Sequence, residues 1–256
     1  MRIARVRHQQ LEYFGELCDS ETVRLWTAAP WDGGQETDRL IPFRRSTLLP
    51  PVTPSKIICV GRNYRAHAEE LGNEVPVRPL LFLKAPSSLI AAGETILLPP
   101  ESTQVDHEAE LAVVIAERTR RVTPEQALSR VFGYTSMNDV TARDIQRADI
   151  QFTRGKSFDT FCPCGPWIES DFDPSSVAIS LDVNGDKRQS GNTDEMIHGV
   201  AELISFISQS MTLLPGDLVS TGSPAGVSPL ADGDVVSVHI EGLGSLGNPV
   251  ARELPR

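Results

Sequence analysis

The chain has 256 residues, 40% of them hydrophobic and 23% charged, with a net charge of −10. That length and balance fit one large globular domain, or a main domain with a small appendage, and exclude a disordered or fibrous chain. An acidic chain with no Lys/Arg block repels phosphate backbones, so nucleic acid is excluded as an expected partner.

Residues 1–50 alternate short apolar runs with turn residues such as Trp31-Asp32-Gly33-Gly34 and close on Leu49-Pro50-Pro51-Val52-Thr53-Pro54. The pattern predicts a small strand-rich N-terminal domain over 1–50, then a stiff linker. Met1 to Leu11 is charged and broken, unlike a secretory leader, and no apolar run approaches the length of a membrane span. Cys18, Cys59, Cys162 and Cys164 are then expected to be reduced thiols of a cytoplasmic protein with no membrane partner.

A main domain is expected over 56–252. Lys56 to Val60 reads as a buried strand, Gly61 to Asn63 as a turn, and Tyr64 to Leu71 as a short helix with Asn63 as N-cap and Gly72 as its stop. Pro79 to Lys84 is a further strand, and Val105 to Ala116 the longest one. Thr123-Pro124-Glu125-Gln126 has the cap, N1 proline and capping-box Gln of a helix running to about Phe132. Gly133 to Asp139 is strand-like, and Thr141 to Ile150 helical in composition. Asn184-Gly185 marks a hairpin within Val177 to Gln189. Asn192 to Met211 carries the clearest amphipathic helical pattern, and Asp217 to Thr221 and Val235 to Glu241 are strands. Many short strands with few helices predict a β-rich α+β fold.

The most informative stretch is Asp106-His107-Glu108-Ala109-Glu110, at the head of the apolar run Leu111 to Ile115. In a strand Asp106, Glu108 and Glu110 share one face, where they repel each other unless solvated or bound to a cation. By residue type alone a solvated strand end is the simpler reading. Two features favour a site: the acids abut a core strand, and Asp139 ends another apolar strand. All-oxygen ligands suit a hard cation such as Mg²⁺, Mn²⁺ or Ca²⁺.

His67 and Glu70 share a helix face, as an ordinary surface pair or as an imidazole oriented by a carboxylate. Lys156 lies between a glycine and Ser157-Phe158, where a lysine is usually solvated but beside a metal can bind a carboxylate or enolate. Arg143 and Gln146 follow Asp139 and either line the same site or face solvent.

Gly242-Leu243-Gly244-Ser245-Leu246-Gly247 imitates a dinucleotide-binding loop but precedes Asn248-Pro249 rather than a helix, so it reads as a hairpin turn. Asp182 to Asp186 begins like a calcium loop, yet Lys187 and Thr193 stand where that loop needs Gly and Glu. No Gly-x-Ser-x-Gly elbow occurs, and Cys162-Pro163-Cys164 has no second cysteine pair for zinc. His8, His107, His198 and His239 are scattered and read as structural or surface residues.

Five stretches in order carry a resemblance: Cys59-Val60-Gly61-Arg62-Asn63-Tyr64 with His67, Asp106 to Leu111, Asn138 to Asp144, Gly155 to Asp159, and Thr221 to Val227. Together they resemble the fumarylacetoacetate hydrolase superfamily, and the first fifty residues resemble the small domain of its bacterial isomerase/decarboxylase branch. The resemblance implies a mixed-β roll of several β-layers and a homodimer. It implies Mg²⁺ or Mn²⁺ held by Glu108, Glu110 and Asp139, with a 2-oxo acid substrate chelating the ion. It also implies substrate contacts from Lys156, Arg143, Gln146 and Thr221, and a water-activating His67–Glu70 dyad on a lid. Ser223 stands where many relatives have Thr. The expected reaction is isomerisation or decarboxylation of an unsaturated 2-oxo dicarboxylate of aromatic catabolism, of the 2-hydroxyhepta-2,4-diene-1,7-dioate type. Acylpyruvate hydrolysis and oxaloacetate decarboxylation are the alternatives. A non-catalytic metal or ligand-binding protein is the remote one, since a binder has no need of Lys156 and the dyad.

Overall fold

The computed structural model describes residues 1–254. Short strands dominate, most of them of eight residues or fewer. Three sheets result. The largest has twelve strands and runs from Glu36–Pro42 at one edge to Leu80–Lys84 at the other. A five-stranded sheet packs beside it, and Val105–Asp106 pairs with Thr141–Ala142 as a two-stranded ribbon. This is the β-rich α+β architecture expected, a mixed-β roll in several layers.

The five N-terminal strands do not form a detached unit. Arg2–His8 pairs with Cys162–Glu169, aligning Ile3 with Ile168, so residues 1–50 extend the main sheet. A small core of Ala4, Val6, Val23, Leu25 and Trp167 crosses that seam.

At the centre lies Ala109–Ile115, every residue buried, between Val131–Asn138 and Leu218–Ser220. Leu218–Ser220 pairs in parallel with Ile57–Gly61, which pairs with Leu80–Lys84. Leu111, Val113 and Ile115 face the core shared with the five-stranded sheet; Ala112 and Val114 face a second cluster around Met137. Burial on both faces explains the near-continuous apolar run and the strand's rigidity.

Several elements are shorter than the sequence pattern suggests. The expected strand from Val105 breaks at His107 and Glu108 and resumes at Ala109. There Glu108 N–H donates to the Asn138 side-chain carbonyl at 2.9 Å, and Ala109 N–H to the Gln189 side-chain carbonyl at 3.0 Å. Side-chain amides thus replace ladder partners and allow the kink. The helix at Tyr64 is Arg65–Glu70, and Asn63 does not cap it. The Asn63 amide donates to the carbonyls of His198 and Thr221 and accepts from His198 N–H, which ties the turn to the main sheet. The amphipathic segment from Asn192 forms an α-helix only over Val200–Ser210; Met196 bridges Tyr64 instead. The capping box at Thr123 forms, but its helix tightens into a 3-10 turn at Leu128–Arg130, and Phe132 is already in a strand. The Asn184-Gly185 turn is as expected, both residues having positive φ, 55° and 84°.

Leu111 is fully buried in the strand that carries the acidic residues. Leu111→Ala is expected to lower unfolding free energy by about 2–5 kcal/mol, measured by denaturant titration.

Candidate metal centre and cavity

Four carboxylates and three cationic side chains are buried together: Asp106, Glu108, Glu110 and Asp139 with Lys84, Arg143 and Lys156. Isolated buried charges cost several kcal/mol each, so their pairing decides whether the site is tolerable. Strand geometry supplies the acids. Glu108 and Glu110, two residues apart, point to one side, and His107 points to the other. Asp139 follows Val131–Asn138, and its N–H donates to the Glu108 carbonyl at 2.8 Å, which fixes the two acidic segments side by side.

Lys156 Nζ donates to Glu108 Oε2 at 2.7 Å and to Asp139 Oδ2 at 2.6 Å. The lysine is buried, not solvated, because Gly155 lets its short helix Thr153–Lys156 press against Arg143–Ala148. A Cβ at Gly155 would lie 2.9 Å from Gln146 N and 3.0 Å from the Ala142 carbonyl oxygen. Lys84 Nζ donates to Asp139 Oδ1 at 2.6 Å and to the Val140 carbonyl at 3.1 Å. Arg143 spans three partners: Asp106 Oδ2 at 2.8 Å, Glu108 Oε1 at 2.6 Å and Gln146 Oε1 at 2.8 Å.

Glu110 alone of the four has no hydrogen bond from a cation. It accepts from the Ser220 hydroxyl and, at 3.0 Å, from Gly222 N–H. Gly222 has φ +94°, and a Cβ there would meet Asn63 Cβ at 2.7 Å, so only glycine lets that N–H reach the carboxylate. Burial, then the neighbouring Asp139 and Glu108 carboxylates, push Glu110 up to about 8. Burial also acts to raise Glu108, but Lys156, Arg143 and His67 outweigh it and hold Glu108 well below the usual carboxylate range. Lys156 is held above its ordinary value: burial opposes its charge, and Asp139 and Glu108 outweigh burial.

Glu108, Glu110 and Asp139 each offer one oxygen, all within 4.8 Å of one another. Three convergent hard donors, one of them lacking a cation, fit a divalent ion of the Mg²⁺ or Mn²⁺ type. They border a cavity of about 350 Å³ that also exposes His67, Lys156 and Arg143.

His67 is not half of a surface pair. It is 5% exposed, with Nε2 3.8 Å from Glu108 Oε1 and Nδ1 3.5 Å from Glu70 Oε2. That second separation is at the outer edge of hydrogen bonding, and Nδ1 has no other partner among the described residues. Glu70 lies behind the imidazole, outside the cavity wall, with both oxygens accepting from Gly226 N–H at 3.0 and 3.1 Å. Gln146 lines the cavity. Thr221 does not: its hydroxyl donates to the Leu111 carbonyl at 3.0 Å, leaving Ser223 as the hydroxyl on the wall.

Sequence reasoning passed over Lys84, Asn138, Gln189 and Ser220. Lys84 had one signal, a cation closing the apolar strand Leu80–Lys84. Gln189 had none. Its side-chain carbonyl meets His107 Nδ1 at 2.9 Å and Ala109 N–H, and its amide donates to Ser223 Oγ at 2.7 Å. Because Gln189 Oε1 can only accept, Nδ1 carries the proton and His107 Nε2 accepts from Ser228 Oγ at 2.9 Å. Burial lowers the pKa of His107, which suits this structural, uncharged role.

The family model described as fumarylacetoacetate (FAA) hydrolase C-terminal matches residues 56–251, and one described as Rv2993c-like, N-terminal, matches residues 1–51. Among solved structures, one named 5-carboxymethyl-2-hydroxymuconate delta-isomerase, from Mycobacterium smegmatis, is 40% identical with a TM-score of 0.92, covering 99% of this chain and 100% of its own. Another, named 2-hydroxyhepta-2,4-diene-1,7-dioate isomerase, from Mycobacterium marinum, is 40% identical with a TM-score of 0.91, covering 100% of both chains. A mitochondrial oxaloacetate tautomerase of Bos taurus is 43% identical over 82% of this chain and 71% of its own.

Burial and the neighbouring carboxylates raise Glu110 toward about 8, which favours its neutral form in the metal-free fold. The stability it contributes is fully present below the unfolded carboxylate value of about 4.3 and is lost as pH rises through about 8. The Tm of metal-free protein should therefore fall between pH 6 and pH 9 by more than that of Glu110→Gln, as read by thermal melts of the two proteins side by side.

Proposed function

The chain belongs to the fumarylacetoacetate hydrolase family, and on that premise we propose that it is a divalent-metal-dependent isomerase of an unsaturated 2-oxo dicarboxylate, of the isomerase/decarboxylase type. The step is a keto–enol shift, in which a C–H bond beside the 2-oxo group breaks, an O–H bond forms, and no carbon is lost. One observation carries the reading: a buried imidazole, His67, shares the cavity with the carboxylate cluster, and a second carboxylate, Glu70, stands behind its Nδ1.

Glu108, Glu110 and Asp139 would hold Mg²⁺ or Mn²⁺. A cation bound there supplies Lewis acidity toward the 2-oxo oxygen. The protein's own groups do the rest. Lys156, kept charged by Asp139 and Glu108, offsets the negative charge of a substrate carboxylate or of the enolate. His67 takes the proton from carbon and delivers it to the enolate oxygen, while Glu70, anchored on Gly226 N–H, orients the ring. Arg143 holds Glu108 in place and presents Gln146 to the cavity.

A second reading shares the step. Oxaloacetate tautomerisation is also a keto–enol proton shift in a 2-oxo dicarboxylate, and the 43% identical bovine relative bears that name. Decarboxylation or acylpyruvate hydrolysis would use the same polarised 2-oxo group but break a C–C bond. A homodimer in a cytoplasmic setting is part of the same proposal; no helix among the described residues is long and apolar enough to cross a membrane.

Metal-stripped protein given Mg²⁺ or Mn²⁺ should interconvert the enol and keto forms of oxaloacetate or of an unsaturated 2-oxo dicarboxylate, followed by ultraviolet absorbance. Mass spectrometry should show product of unchanged mass; loss of CO₂ or gain of water would replace isomerisation by the other two reactions. His67→Ala should bind metal as wild type does and cut turnover by about 10² or more. Glu108→Ala should remove both.

A further inference from the structure

We propose that Arg62 and Arg147 form a subsite at the cavity mouth that binds the distal carboxylate of the substrate. This rests on the reading of the cavity as a 2-oxo dicarboxylate site and adds how the far end of the molecule is recognised.

The helix Arg143–Ala148 places Arg143 and Arg147 four residues apart, one turn along the same face. Both line the cavity, and the helical rise separates them by about 6 Å along the axis. Arg143, at the inner end, is buried and committed to Asp106, Glu108 and Gln146. Arg147, one turn outward, is exposed, and its single hydrogen bond among the described residues is a long one, 3.4 Å from Nη1 to Gln104 Oε1.

Arg62 lines the same cavity from the turn between Ile57–Gly61 and Arg65–Glu70. Its φ is +58°, a conformation that disfavours any residue with a Cβ. No hydrogen bond or ion pair holds its guanidinium among the described residues. The rim does carry one carboxylate, Asp149, but Arg154 takes both its oxygens at 2.8 and 2.7 Å.

Two guanidinium groups, one without a partner among the described residues and one with a single long hydrogen bond, thus line one cavity in a chain of net charge −10. The guanidinium fork matches a carboxylate in a bidentate geometry that lysine does not offer. The inner end of the cavity has Lys156, and the cation that the acidic triad would hold, to receive a 2-oxo carboxylate. A second cationic site one helical turn outward suits a dicarboxylate longer than oxaloacetate.

The test is calorimetric binding of 2-oxoheptanedioate and 2-oxoheptanoate to Mg²⁺-loaded protein. The two probes share the 2-oxo end and chain length and differ only in the terminal carboxylate. Wild type should prefer the diacid by about tenfold or more. Arg62→Gln and Arg147→Gln should each reduce that preference, and the double variant should bring the two affinities together. Arg147→Lys should retain part of it. No preference in wild type, or an undiminished one in the double variant, overturns the subsite. Because binding is read without turnover, the preference can stand while the isomerase reading fails, and the reverse.

Discussion

Everything in the site follows from an unequal count of buried charge. Asp106, Glu108, Glu110 and Asp139 face Lys84, Arg143 and Lys156, four carboxylates against three cations. A protein interior tolerates such a cluster only when almost every charge is paired and hydrogen-bonded. Lys84 and Lys156 divide Asp139 between them, and Arg143 and Lys156 divide Glu108. Glu110 is left with a hydroxyl and a backbone N–H, and it responds by retaining its proton. A divalent cation would supply positive charge where the deficit lies, and with Glu110 ionised it would leave one positive charge over for a substrate carboxylate.

The scaffold makes that imbalance durable. The acids stand on or beside strands of the central sheet, whose side chains are locked by burial on both faces. The break at His107–Glu108 is held by two side-chain amides, Asn138 and Gln189, which aims Glu108 into the cavity without loss of backbone hydrogen bonds. Gly155 and Gly222 admit close approaches that bring Lys156 and a backbone N–H to the carboxylates. The cluster is therefore preformed, whereas the Arg147 and Arg62 side chains at the mouth are held by few partners.

The sequence exposed one part of this well. Glu108 and Glu110 share a face because side chains alternate along a strand, and Asp139 ends an apolar strand; both are local patterns and both are legible. Lys84 was not, because a single lysine at a strand end gains meaning only when Asp139, fifty-five residues away, is placed beside it. His67 and Glu70 were visible as a pair by helical spacing, but burial of His67 depends on tertiary packing. Thr221 is the converse case: its motif is local, yet its hydroxyl donates to the Leu111 carbonyl and does not line the cavity. The amphipathic pattern after Asn192 overstated its helix because backbone contacts to Tyr64 and Asn63 hold Met196 and Ile197 outside it, while Met196 still packs on the main core. Alternation also located the N-terminal strands but not the edge they join; nothing local in Ile3 names Ile168 as its partner.

A raised Glu110 pKa makes proton release on metal binding the most direct measurement. Mg²⁺ or Mn²⁺ should be added to metal-free protein in weakly buffered solution, and the protons released counted against metal bound at several pH values. The charge deficit predicts release of about one proton per ion at pH 6 to 7, falling away as pH passes about 8. Stoichiometric binding with no proton release at pH 6 would show that Glu110 is already ionised, and that the buried charges balance in some other way.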